Sequence, residues 1–147
     1  MPKQIPQKLI SLLKEVGETP QTALWDVHGT KVVLHKALEK VSVLLDIRFE
    51  DPQVITCDME KRIAVVLVKG FRVVYDETKK VNSKVFAWSF GEATPYNNKN
   101  AYPFAMAEKR AVDRVILKII GIHGDVYSES EADDFKQKKY PSDKGAY

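Results

Sequence analysis

Arg110, Arg114 and Lys118 stand four residues apart in the stretch AEKRAVDRVILKII. On a helix that spacing returns each side chain to one face, so the three cations form a row. Val112, Val115, Ile116, Ile119 and Ile120 fall on the opposite side, which predicts a helix with its back against a sheet. A cation row on a helix held from behind reads as a phosphate track. It reads equally as a solvated face, the commoner meaning of charge rows. Just upstream, PYNNKNAYPF sets Tyr96, Tyr102 and Phe104 among Asn97, Asn98, Lys99 and Asn100. Rings can stack on bases while amides and a lysine donate to phosphates, and a turn whose rings cap the core has the same composition. Lys109 flanks the row, and Lys61 with Arg62 adds a basic point at a strand entrance. That pair also suits gatekeeping against strand pairing.

Catalytic readings find less. His28, His35 and His123 have no metal-ligand spacing. Trp25-Asp26-Val27-His28 offers an i, i+2 acid–base pair and nothing further. Asp58 with Glu77-Thr78-Lys79 loosely imitates a metal-dependent nuclease, but such a site needs the Glu and Lys on one buried strand face, and these fall in a polar loop. Neither a Walker A sequence nor GxGxxG is present. Cys57, the single cysteine, sits in a β-branched strand as a small core residue and has no partner for a disulfide or a CxxC zinc site. The expectation is a protein that is not an enzyme, with no catalytic residue, no metal and no cofactor.

The elements that must position these residues follow from periodicity. A chain of 147 residues that is 44% hydrophobic has the length of one domain and enough apolar mass for a core, which excludes wholesale disorder. A net charge of +3 permits a polyanionic partner without requiring one. Ile5, Leu9, Leu12, Leu13 and Val16 predict a first helix stopped at Gly17. QTALWDVHGT reads as a connector, and Leu34, Ala37, Leu38, Val41, Leu44 and Leu45 predict a second helix. After Asp51-Pro52 the chain turns to strands: Gln53 to Cys57, Arg62 to Tyr75 with Gly70 as a bend or bulge, and Lys84 to Phe90 with Phe86, Trp88 and Phe90 on one face. Pro103 opens the last helix, which runs to about Ile120 and ends at Gly121. The expected fold class is α+β: a three-stranded antiparallel β-meander flanked by helices, in the order α-α-β-β-β-α. Residues 1–127 form the domain, and 128–147 form a polar mobile tail, acidic and then basic. The amino-terminal stretch has no signal-peptide character and no window reaches the ~18 apolar residues of a membrane span, so the expected setting is a reducing cytoplasm.

HKALEKVSVLLDI, three strands, and GEATPYNNKNAYPFAMAEKRAVDRVILKIIGI together resemble the core of the Rad-fifty-two-like superfamily of single-strand annealing proteins, many of them phage-encoded. The resemblance covers roughly residues 30–122, with AEKRAVDRVILKIIG and the apolar-Gly ending Ile120-Gly121 as its most specific parts. It implies ATP-independent binding of single-stranded DNA and strand annealing in homologous recombination, with Arg114 and Lys118 where the family keeps cations for the DNA backbone. It also implies a homo-oligomer, ring or helical filament, in the cytoplasm of a host, with a phage exonuclease or a host single-strand-binding protein as a further partner. DNA-contacting residues are then expected at Arg110, Arg114, Lys118, Lys109, Lys99, Lys61 and Arg62, with base stacking by Tyr96 or Tyr102. Two other classes fit the element order. A double-stranded-RNA-binding module shares α–β–β–β–α but lacks its Gly-Pro-x-His loop here. A phage structural or adaptor protein would oligomerise through its sheet without touching nucleic acid.

Overall fold

The computed structural model describes residues 4–131, and the chain is α+β. Helix α1 (Gln7–Glu15) buries Leu9 and Leu13, and Gly17 ends it with a φ of 81°. The segment expected to be a connector is structured. A short helix α2 (Pro20–Ala23) is capped by Thr19, whose hydroxyl accepts the Thr22 N–H at 3.2 Å. A hairpin of β1 (Leu24–Val27) and β2 (Thr30–Val33) follows. Its two-residue turn, His28-Gly29, has φ values of 53° and 84°, the double positive φ that a tight hairpin needs. Asp26 Oδ1 closes it by accepting the Gly29 N–H at 2.6 Å.

Helix α3 (His35–Leu44) buries Ala37, Leu38 and Val41 as the stripe predicts, while Leu44 is exposed. The second sheet comprises β3 (Arg48–Phe49), β4 (Gln53–Asp58), β5 (Ile63–Asp76) and β6 (Val81–Ala93). β3 and β4 line one edge of β5 as a single strand interrupted at Asp51-Pro52, and β6 holds the other edge. The expected meander is there, with a longer third strand. Helix α4 (Pro103–Ile120) starts at Pro103 and ends at Gly121 in the left-handed conformation (φ 89°), matching the sequence. Beyond it β7 (Tyr127–Ser128) pairs parallel with β2, and Glu129–Glu131 form a 3-10 turn. The order therefore departs from α-α-β-β-β-α at both ends of the chain.

Two readings are corrected by the packing. Gly70 is neither a bend nor a bulge: β5 and β6 stay in register from Ala64↔Ala93 to Asp76↔Val81, and the irregularity lies in β4 between Val54 and Thr56. Gly70 is small because α4 crosses above it, and a Cβ there would come within 2.9 Å of Val115 Cγ1. Cys57 is exposed on the edge strand rather than buried. Ser128 and Ser130 are buried, so the packed domain continues past residue 127. The basic part of the expected tail, Lys136, Lys138 and Lys139, lies outside the described residues.

The core is one layer between α4 and the inner face of the sheet. Ala64, Val66 and Val68 of β5 and Ala93 of β6 face Ala107, Ala111, Val115 and Ile116, with α1 and α3 closing the side. Contact is closest at Gly91, where a Cβ would lie 2.0 Å from the Ala107 carbonyl oxygen and 2.8 Å from Ala111 Cβ. The helix backbone cannot yield as a flexible side chain would. Gly91→Ala is therefore expected to lower the free energy of unfolding by about 1–3 kcal/mol, read as a lower urea midpoint. An unchanged midpoint would mean that α4 does not seat on β6 this closely.

Candidate nucleic-acid interface

The predicted cation row exists, and most of its donors face the protein. β6 is an edge strand, so the carbonyls of Trp88, Phe90 and Glu92 point away from β5. Arg110 Nη1 donates to the Glu92 carbonyl at 2.8 Å, Arg114 Nη1 to Phe90 at 2.8 Å, and Lys118 Nζ to Trp88 at 2.8 Å. The registers match because four helical residues rise about 6 Å and two strand residues about 6.8 Å. Helix and strand run antiparallel, each cation meeting the next outward carbonyl.

Arg110 is 2% exposed, and its guanidinium donates at least four hydrogen bonds. Besides Glu92 it reaches the Ser130 carbonyl at 2.7 Å, the Asn97 carbonyl at 2.6 Å and Asn97 Oδ1 at 2.9 Å. This burial takes Arg110 out of reach of a phosphate. Arg114 is clamped between Glu92 (2.8 Å) and Glu131 (2.6 Å). Burial opposes its charge, but the hydrogen bonds to Glu92 and Glu131 outweigh it and raise the guanidinium's pKa. The acidic partner of the basic helix is thus its own carboxy-terminal segment. Lys118 keeps part of its surface and also stands 5.5 Å over the Trp88 ring.

The opposite flank of α4 holds a buried carboxylate. Asp113 is fully buried and bonds His35 Nδ1 at 2.6 Å and the Ser130 hydroxyl at 3.0 Å. The Ser130 hydroxyl in turn meets that of Ser128. His35 Nε2 lies 2.7 Å from Glu39, and its backbone N–H donates to Glu129 at 2.9 Å. The hydrogen bond to Asp113 raises the His35 pKa against the effect of burial, Asp113 and Glu39 adding charge attraction and Lys109 opposing. The chain of contacts joins α3, α4 and Ser128–Glu131, with Asp113 between the imidazole and the Ser130 hydroxyl.

The remaining predicted residues collect at one end of the sheet. The β4–β5 turn carries Lys61, whose N–H is held by Asp58 Oδ1 at 2.9 Å, and Arg62 at φ 58°, both exposed. The loop leaving β6 at that same end carries Lys99, Tyr96 (87% exposed) and Tyr102 (70% exposed). Two of its amides are occupied with folding: Asn97 Oδ1 accepts the Thr94 N–H at 2.8 Å, and Asn100 Oδ1 accepts the Tyr102 N–H at 2.8 Å. Pro103 and Phe104 serve the helix start and the core. Lys109, one turn along α4, stands beside His35 instead of in this group.

What sequence reasoning missed is the sheet's outer face. Strand alternation puts Phe86, Trp88 and Phe90 of β6 beside Phe71, Lys69 and Leu67 of β5, and no element covers them among the described residues. Phe86 is 65% exposed, Trp88 56% and Phe90 43%. Phe71 and Phe86 lie 5.9 Å apart, and Trp88 meets Phe90 edge-on at 5.6 Å. Lys84 Nζ sits 4.7 Å over Phe71 and 6.0 Å from the centre of Phe86. The alternation of these three aromatics was the available signal. Among the described residues no cluster of His, Cys, Asp or Glu suits a metal ion, and no helix is long and apolar enough to cross a membrane.

Two outcomes follow from the contacts. Arg110→Met keeps the aliphatic bulk but strands the carbonyls of Glu92, Asn97 and Ser130, so it should cost at least about 2 kcal/mol of stability; a wild-type unfolding curve would contradict this role. The raised His35 pKa means its contribution to stability is complete below the ordinary value of 6.5 and is lost as pH rises through the higher folded value. Burial lowers the pKa of His123, which works the other way, so the sign belongs to the difference: the stability of wild type over His35→Gln should shrink from pH 6 to 8. Comparison of the chain with protein-family models, with curated proteins and with solved structures gives no match.

Proposed function

We propose that the protein binds single-stranded DNA and anneals complementary strands without ATP, acting as a homo-oligomer in recombination. The observation that carries this reading is the open face of the sheet, where exposed aromatic rings are flanked by Lys69 and Lys84. Every base has a π-face, so rings such as Phe86, Trp88 and Phe90 accept bases of any sequence, at roughly 1–3 kcal/mol per stack. Stacking on that face leaves the base's hydrogen-bonding edges open, as annealing requires. Lys69, Lys84 and Lys118 stand beside the rings to neutralise phosphates and release counterions. In this reading Lys61, Arg62, Lys99, Tyr96 and Tyr102 extend the track past the end of the sheet, and Lys109 is peripheral. Arg110 and Arg114 serve the track indirectly, by fixing β6.

A bare apolar sheet face also suits contact with another protein. The lysines argue against that here, because lysine is depleted at the centre of protein interfaces while aromatics are enriched. The oligomer is better served by the β5–β6 hairpin, which carries exposed apolar side chains on both faces: Val73 and Tyr75 on the outer, Val81 and Val85 on the inner. Two strands alone are marginal in water, so such an arm gains by lying on a neighbour.

Trp88 makes the test direct, since the chain has only two tryptophans. In a Trp25→Phe background, single-stranded oligonucleotides should quench the remaining emission, with affinity falling steeply as salt rises. Phe86→Ala and Phe90→Ala should each weaken binding roughly five- to hundred-fold at unchanged thermal stability. Competition by duplex DNA or duplex RNA as strong as by single strands would overturn the assignment. Strand annealing without nucleotide should show the same losses, and light scattering should find more than one copy per particle. Monomers with and without DNA would remove the oligomer from the proposal.

A further inference from the structure

On the inner side of the sheet, past the end of α4, an open cleft of about 490 Å³ lies between α1, the end of α3 and β5. That volume is in the range of small-molecule sites. Leu12, Leu45, Ile119 and Ile120 form its hydrocarbon wall, and Lys8, Ser11 and Arg72 supply its polar groups. The lining contains two cations and no carboxylate. Arg72 Nε is buried with no hydrogen-bond partner among the described residues, a condition that buried donors rarely tolerate. Lys8 Nζ gives one hydrogen to the Ile120 carbonyl at 3.1 Å, which fixes the ammonium at the rim with further donors to spare.

We infer that this cleft binds an aliphatic carboxylate. The carboxylate accepts from the Arg72 guanidinium and from Lys8, the two cations that line the cleft. The hydrocarbon chain covers Leu12, Leu45, Ile119 and Ile120. The wall has no aromatic ring on which a base would stack, so the site differs in chemistry from the open sheet face and does not depend on it. An inorganic anion would leave the aliphatic wall exposed to water, which is why head and tail are both required.

Octanoate, octanol and acetate are suitable probes, titrated into the full chain and followed by calorimetry and amide NMR shifts. Octanoate should bind at least tenfold tighter than octanol, acetate should not bind measurably, and the shifts should centre on residues 8–12 and 119–121. Arg72→Gln should weaken octanoate at least tenfold at an unchanged melting temperature. Equal affinity for octanol and octanoate, or shifts centred elsewhere, would overturn the inference. The probe comparison needs no variant, so it decides the matter even if Arg72→Gln fails to fold. Lys8→Gln, at an exposed position, provides the second charge test: unchanged octanoate affinity in both substitutions would rule out a cationic head-group site.

Discussion

An outward strand edge presents carbonyls that must find hydrogen-bond donors, and in this protein a helix supplies them. Three cations of α4, at matched rise, close the β6 edge from Trp88 to Glu92. Edge strands commonly defend themselves with a lysine facing water or with a bulge. Here the defence is built into the core, and much else follows from it. Arg110 can be buried only because Glu92, Asn97 and Ser130 all offer oxygens, which fixes the loop after β6 and the segment after β7. Glycine at position 91 is then required, because the cations reach the edge only when the helix lies almost on the strand.

Closing the inner face and one edge leaves the sheet's outer face as its open surface. α4 covers one side of β5 and β6, and among the described residues nothing covers the other. The aromatic rings there are placed by strand geometry rather than by a cavity: successive outward residues of β6 stand about 6.8 Å apart, close enough for Trp88 and Phe90 to meet edge-on. A surface organised in advance loses little entropy on binding. The cations of α4 contribute to it chiefly by holding the strand still.

The sequence was most readable where one periodicity ruled. α1, α3 and α4 were legible from their stripes, α4 to the residue at both ends, because Pro103 and Gly121 act locally. The His28-Gly29 hairpin escaped because a histidine at positive φ carries less signal than an asparagine in the same place. β7 escaped because two residues have no periodicity. Gly70 was misread because its cause lies in Val115, far along the chain and directly above it. The site suffered from a different ambiguity. Spacing shows that Arg110, Arg114 and Lys118 share a face, but it cannot tell whether that face meets water, phosphate or a strand edge, since all three attract cations. Phe86, Trp88 and Phe90 were visible as an alternating set, yet alternation says only that they share a side, and hydrophobic side chains lead one to expect that side to be covered.

The pairing of β2 with β7 bears on the order in which the molecule can assemble. β5, β6 and α4 are consecutive, so the layer they form can condense as soon as residues 63–120 have left the ribosome. The small sheet cannot. β2 waits for residues 127–128, His35 waits for Glu129, and Arg110 lacks its last carbonyl until Ser130 emerges. While residues 127–131 are still unmade, β2 and the start of α3 lack partners that the large sheet does not need. Among the described residues, Tyr127–Glu131 is thus the segment on which β2, the start of α3 and Arg110 all depend, the latch of the domain.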